Sequence, residues 1–173
     1  MEQYTCSESI VIGADAERLY LMVSDITRMG EWSPVAGAWW WEADTGPIVG
    51  AWFAGRNDLE DRSFGSRCQV VAAEPARQFG FVVRELTIRG QQRPGPFVRW
   101  DYEFLQGETT TKVTESLRFL PECVSRFKRD HGPEEGHRQI TTRVDGARTR
   151  IAETLAALKS AAEQTTSPGQ TRL

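Results

Sequence analysis

Glu115 is the side chain whose chemistry is hardest to place at a surface. It belongs to the alternating run Val113, Glu115, Leu117 and Phe119, with Lys112, Thr114, Ser116 and Arg118 between them. A strand sends every second side chain to one face, so the apolar members carry a carboxyl inward with them. A buried, unpaired carboxylate is strongly disfavoured against water, so this group must be neutral or matched to a partner. Two readings follow. It is a structural group, paired with an inward arginine or turned outward at a bulge, or it is a general acid or base whose pKa is raised by loss of water.

Two more polar side chains share faces with aromatic ones. Tyr102 lies in the run Val98, Trp100, Tyr102 and Phe104, against Arg99, Asp101 and Glu103. Its hydroxyl either serves a ligand as hydrogen-bond or proton donor or finds a backbone acceptor. Asn57 ends the run Val49, Ala51, Phe53, Gly55 and Asn57, where its amide either meets a ligand carbonyl or closes the strand end on backbone. Glu115, Tyr102 and Asn57 are the candidate catalytic groups. Ser66 brings a further hydroxyl from the run Phe64, Ser66, Cys68, Val70 and Ala72.

Aromatic surface surrounds these groups. Phe53, Phe79, Phe81, Trp100 and Phe104 all fall on faces that must be covered, and Trp39 and Trp41 share a face that excludes Trp40. They are either core packing or stacking surface for a flat ligand. Arg143 is either a solvated helix residue or one that meets an anionic ligand group at the mouth of the enclosed space. His131 and His137 flank a charged segment without a Cys or carboxylate at ligand spacing, which predicts surface imidazoles and no metal site. No Gly-rich phosphate loop, G-x-S-x-G or Cys–His nucleophile pair is present.

These residues need a sheet and something to close it. From His137 to Ala162, the residues Ile140, Val144, Ala147, Ile151, Leu155, Leu158 and Ala162 recur every three or four positions, one continuous helical stripe. Ahead of it, strands are predicted over Glu2 to Ile12, Ala38 to Glu42, Val49 to Asn57, Arg62 to Glu74, Gln78 to Ile88, Phe97 to Leu105 and Thr111 to Phe119. Asp15 caps a helix through Ser24 that shows Ala16, Leu19, Tyr20 and Val23 on one face, and a second short turn ends before Ser33-Pro34. Gly90 to Pro96 reads as a loop. Pro121 to Gly136 reads as a charged, irregular connection with a helical turn around Val124 to Lys128, able to act as a lid. Short links between strands predict an antiparallel sheet and an α+β domain over 1–164, with a frayed tail over 165–173.

Four stretches in this order resemble the START and birch-pollen-allergen (SRPBCC) superfamily, and within it the polyketide cyclase/dehydrase branch. They are Val23-Ser24-Asp25-Ile26-Thr27-Arg28-Met29-Gly30-Glu31-Trp32-Ser33-Pro34; Val49 to Asn57, similar to G-x-x-F-x-G-x-N; Glu74-Pro75-Ala76-Arg77-Gln78-Phe79, similar to E-P-x-x-x-F; and Trp100 to Phe104 leading into Val113 to Ser116. The resemblance implies a helix-grip fold, in which a curved seven-stranded antiparallel sheet wraps the final helix around a mostly apolar cavity. It implies a small hydrophobic or polyketide-like ligand and cofactor-independent cyclisation or dehydration. It also admits a carrier or sensor of a lipid, quinone or polyketide, and a protein-binding regulator with an exposed apolar patch near Trp39 to Trp41.

The totals exclude other classes. The chain has 173 residues, 39% hydrophobic and 26% charged, and a net charge of -3 with Lys and Arg spread along its length. That argues against a nucleic-acid footprint. No apolar run is long enough for a membrane span, and Met1 to Ser9 lacks the form of a signal peptide. Cys6, Cys68 and Cys123 are isolated, which predicts reduced buried thiols and a cytoplasmic protein. A homodimer is compatible with this composition.

Overall fold

The computed structural model describes residues 4–60 and 62–164. In chain order these form β1 (Thr5–Ile12), α1 (Ala16–Ser24), a 3-10 turn (Ile26–Glu31), β2 (Ala36–Trp41), β3 (Trp52–Leu59), β4 (Arg62–Glu74), β5 (Gln78–Ile88), β6 (Gln91–Pro94), β7 (Val98–Gln106), β8 (Thr111–Phe119), α2 (Pro121–His131) and α3 (Pro133–Gln164). Seven strands lie in the order β1-β8-β7-β5-β4-β3-β2, with β6 added beside β5. Every pairing is antiparallel. The curved sheet and its long C-terminal helix make the expected α+β helix-grip arrangement.

Local chemistry sets the boundaries. Asp15 caps α1, its carboxylate accepting from the Arg18 backbone N–H at 2.8 Å, so an otherwise orphaned donor is satisfied. Asp25 starts the 3-10 turn in the same way, accepting from Thr27 backbone N–H at 3.2 Å and from its hydroxyl at 2.6 Å. On α3 all seven stripe residues from Ile140 to Ala162 are buried. The sheet shifts register between Arg67 and Cys68 and between Val70 and Ala72, and again in β2 between Ala36 and Trp39. Such bulges bend and twist a strand, which lets the sheet curl around a helix.

Some expectations need correction. Gly90 to Pro96 is not all loop, because β6 pairs Gln91 to Pro94 with the end of β5. Val49 lies before β3, 65% exposed, so the inward face starts at Ala51. Pro121 to Gly136 is not an irregular lid. Most of it is α2, with Pro121 in the first turn, where a missing N–H costs nothing, and Gly132, at φ 84, turns the chain into α3. A Cβ at Gly136 would lie 2.7 Å from the Phe127 carbonyl oxygen, so glycine lets α2 and α3 touch backbone to backbone. The final helix consequently begins at Pro133, one turn before His137. The tail predicted over 165–173 and the start of the first strand at Glu2 lie outside the described residues.

Among the described residues no helix is long and apolar enough to cross a membrane. Cys6, Cys68 and Cys123 are buried free thiols. Trp40 is 52% exposed while Trp39 is buried, so the Trp39/Trp41 face of β2 is the inner one.

Candidate ligand cavity and its acid–base pair

Adjacent strands bring the two central groups together. The β7–β8 register sets Tyr102 directly across from Glu115, and the Tyr102 hydroxyl donates to Glu115 Oε1 at 2.8 Å. Both residues are buried. Burial pushes the Glu115 carboxyl up to about 8, with the Tyr102 hydrogen bond pulling weakly the other way. The Tyr102 hydroxyl is driven well above its ordinary value, first by burial and then by the Glu115 charge. Among the described residues no arginine pairs with Glu115, and its unbroken register with β1 and β7 leaves no bulge to turn it outward. Its second oxygen, Oε2, is buried without a hydrogen-bond partner.

Trp39 presents the complementary orphan. Its ring is buried, and its Nε1–H also lacks a partner. It reaches this position because Gly55 lies opposite it in the β2–β3 register. A Cβ there would sit 2.0 Å from Trp39 Cδ2, so glycine lets the indole lie flat across β3. Asn57 and Ser66, from β3 and β4, satisfy each other: Asn57 Nδ2 donates to Ser66 Oγ at 2.9 Å. Asn57 therefore bonds a neighbouring side chain where a backbone contact was one expectation.

These groups face a cavity of ≈ 510 Å³ between the sheet, α2 and the first two-thirds of α3. Glu115, Tyr102, Asn57, Trp39, Ser66, Phe81, Trp100 and Arg143 all stand on its wall. Four other residues singled out in the sequence stand behind the wall. Phe53 is fully buried, its ring 5.8, 5.4 and 5.1 Å from those of Trp39, Trp41 and Phe81, and Trp41 packs onto it from outside the lining. Phe79 and Phe104 are capped edge-on by Tyr20 of α1, at 6.5 and 6.1 Å. Alternation identified their face correctly, but α1 fills the space above them.

The wall also holds residues that sequence reasoning passed over. Cys123 and Phe127 come from α2, and Arg150 and Thr154 from α3. A signal existed for the first three. Cys123 and Phe127 are four apart behind a helix-starting Pro121, and Arg150 is Arg143 plus seven, two turns along the same face. His131 reaches the cavity rim, whereas His137 is exposed and bonded through Nδ1 to the Tyr4 hydroxyl at 2.8 Å. Among the described residues no group of three or more His, Cys, Asp or Glu side chains gathers as a metal site.

A curved sheet gripping a long C-terminal helix around an internal cavity is the architecture of a helix-grip protein. The comparisons with known proteins give the same class. The polyketide-cyclase-like protein Cgl2372 of Corynebacterium glutamicum is 36% identical, with 98% of each chain covered and a TM-score of 0.68. A START superfamily protein of Mycobacterium smegmatis shares the fold at 19% identity, with 94% of this chain and 99% of that one covered and a TM-score of 0.63. DynU16, from the dynemicin biosynthetic locus, shares it at 14% identity, covering 94% of this chain and 48% of that one, with a TM-score of 0.59. No protein-family model and no curated protein sequence matches the chain. Given identity of this order over nearly all of both chains, the protein belongs to the START-like (SRPBCC) superfamily, in its polyketide cyclase/dehydrase branch.

Proposed function

We propose that the protein binds a small hydrophobic or aromatic molecule in this cavity and promotes its cyclisation or dehydration. The observation that carries the reading is Glu115 Oε2, a buried carboxyl oxygen without a protein partner on an aromatic wall. As the carboxylate it takes a proton from the carbon next to a substrate carbonyl. As the resulting acid it returns that proton to a departing β-hydroxyl. The products are a carbon–carbon double bond and water, and Glu115 ends as it began. The same proton transfer in an enolisable chain prepares a carbon nucleophile for ring closure. Tyr102 is a positioning residue that fixes the carboxyl through Oε1, and Trp39 Nε1–H is a donor for the substrate carbonyl as it gains negative charge. The cavity wall holds the chain in a reactive geometry.

The test begins with native mass spectrometry of freshly purified protein, which identifies a co-purifying molecule, and continues with product formation from it. Glu115→Gln is expected to retain binding and lose at least about a hundredfold in kcat, the usual scale for a general acid–base group. Because the ionised form starts the reaction, kcat/KM rises with pH up to an apparent value of about 8, and this limb disappears in the variant. Unchanged turnover in Glu115→Gln would overturn the catalytic reading.

A second reading is a non-catalytic carrier or sensor. What favours it is the mutual bond of Asn57 and Ser66, which occupies two of the polar groups on the wall with each other. A carrier retains ligand affinity in Glu115→Gln and shows no product with either form.

A further inference from the structure

Five arginines reach the cavity wall, Arg62, Arg93, Arg126, Arg143 and Arg150, against two carboxyls, Glu115 and Asp130. This local balance opposes the net charge of -3 of the chain as a whole. Asp130 is exposed and bonded by Arg129 at 3.1 Å. Glu115 lies deep, with its pKa raised to about 8, so it supplies no counter-charge to these arginines near neutral pH.

Three of the arginines are linked through Arg62, whose charge acts on Arg143 and on Arg150. Arg143 and Arg150 lie two turns apart on one face of α3, both half-buried, and Arg62 opens β4 on the facing wall. Burial lowers the pKa of both helix arginines, and the charge of Arg62 lowers each further. Arg143 gives one N–H to the Gln139 carbonyl at 2.9 Å and lies over the Phe127 ring at 4.9 Å. The exposed Glu153 acts on Arg150 in the opposite sense. Among the described residues, none of the three forms an ion pair. The outer face of the sheet differs: Arg67 holds both Glu42 and Glu85, and Arg99 holds Asp101. Arg62 is exposed, but Arg143 and Arg150 are drawn partly out of water without a carboxylate, which is costly unless an anion joins them.

We propose that Arg62, Arg143 and Arg150 form an oxyanion subsite at the cavity mouth, and that the ligand is an amphipathic anion. Its aromatic or hydrophobic body lies against Trp39, Phe81 and Trp100, and its carboxylate or phosphate meets the three guanidinium groups, which are suited to forked contacts with such oxygens. This assignment rests on the cavity-binding reading but not on catalysis.

The test uses two fluorescent probes with the same aromatic body, 1-anilinonaphthalene-8-sulfonate and its uncharged parent N-phenyl-1-naphthylamine, titrated into the full chain. The wild type is expected to prefer the anionic probe by at least about tenfold, an energy one charge-assisted contact supplies. R62Q and R150Q each reduce that preference, and the R62Q/R143Q/R150Q variant, checked for folding by circular dichroism, abolishes it while binding the neutral probe as before. R143K/R150K, which keeps the charge, retains part of it. Competition by decanoate and by decyl phosphate, with decanol as the uncharged control, identifies the head group. Equal affinity for both probes in the wild type, or a preference that survives the triple variant, overturns the subsite and leaves cavity binding intact. Binding of neither probe overturns the cavity reading as well.

Discussion

The inner surface of the sheet has two halves built from the same alternation and put to different uses. Toward the end of α3, Phe79 and Phe104 are covered by Tyr20 of α1, and they, Val113, Leu155 and Leu158 are all buried in one core cluster. Toward its start, Trp39, Phe81, Trp100, Tyr102 and Glu115 stand over open space. The strands β5 and β7 run through both halves, so strand pattern alone does not decide which becomes core. The covering element decides. Where α1 seats an aromatic ring on the sheet the interior is solid; beyond it α3 presents Ala147, Thr154 and arginine stems, too small or too polar to fill the gap.

Removing one aromatic side chain from each half breaks or sharpens that distinction. Phe79→Ala leaves a void among fully packed neighbours and is expected to cost about 3–5 kcal/mol. Trp100→Ala removes a partly exposed ring whose inner side already faces the cavity, and is expected to cost about 1 kcal/mol, within the ordinary range for single substitutions. The ligand response reverses, with affinity falling in Trp100→Ala and holding in Phe79→Ala at temperatures where it stays folded. Chemical denaturation of the two variants checks the first claim and probe titration the second. Equal destabilisation would mean that the halves do not differ in packing.

The buried carboxyl gives the next effect. Its folded pKa is about 8 against an ordinary value of 4.5, so the native state binds the extra proton across that window. The stabilisation is fully present below about 4.5 and is lost as pH rises toward 8. Glu115→Gln keeps an acceptor for Tyr102 and cannot ionise. It should match the wild type in stability near pH 4 and exceed it by on the order of 5 kcal/mol above the folded pKa. Denaturation midpoints compared across that range test this, and a difference independent of pH would show that Glu115 is not held neutral by burial.

Much of this was legible residue by residue. The α3 stripe, the inward face of β8 and the carboxyl at Glu115 all followed from local periodicity, which survives whatever the rest of the chain does. The Tyr102–Glu115 pair was not legible as a pair, because it depends on the β7–β8 register, and that register depends on how the Gly107 to Thr110 turn closes. Phe79 and Phe104 were placed on the right face yet assigned to the open space, since nothing in their own strands records where α1 will lie. Charge concealed α2. Among Arg126, Lys128, Arg129 and Asp130 the segment read as an irregular connection with one helical turn around Val124 to Lys128, although Cys123 and Phe127 mark an apolar edge four residues apart.

Gly55 is where the two halves of the argument meet, because it acts on the cavity wall through the packing of a single ring. Gly55→Ala places a methyl group 2.0 Å from Trp39 Cδ2, so the indole must lift off β3 or the strands must part. Overpacking of this kind is expected to cost about 1–3 kcal/mol, less than the loss of Phe79. The effect on the cavity is more specific. Trp39 is the wall donor nearest in role to Glu115 as an unpaired polar group, and its displacement changes both the shape of the wall and the direction of Nε1–H. Trp39→Phe supplies the comparison, since a smaller ring removes the N–H without a clash. Gly55→Ala is expected to shift the tryptophan emission and lower probe affinity together, while Trp39→Phe keeps stability near the wild type and loses mainly the contribution of the N–H. A Gly55→Ala protein with unaltered emission and affinity would show that the indole does not lie across β3.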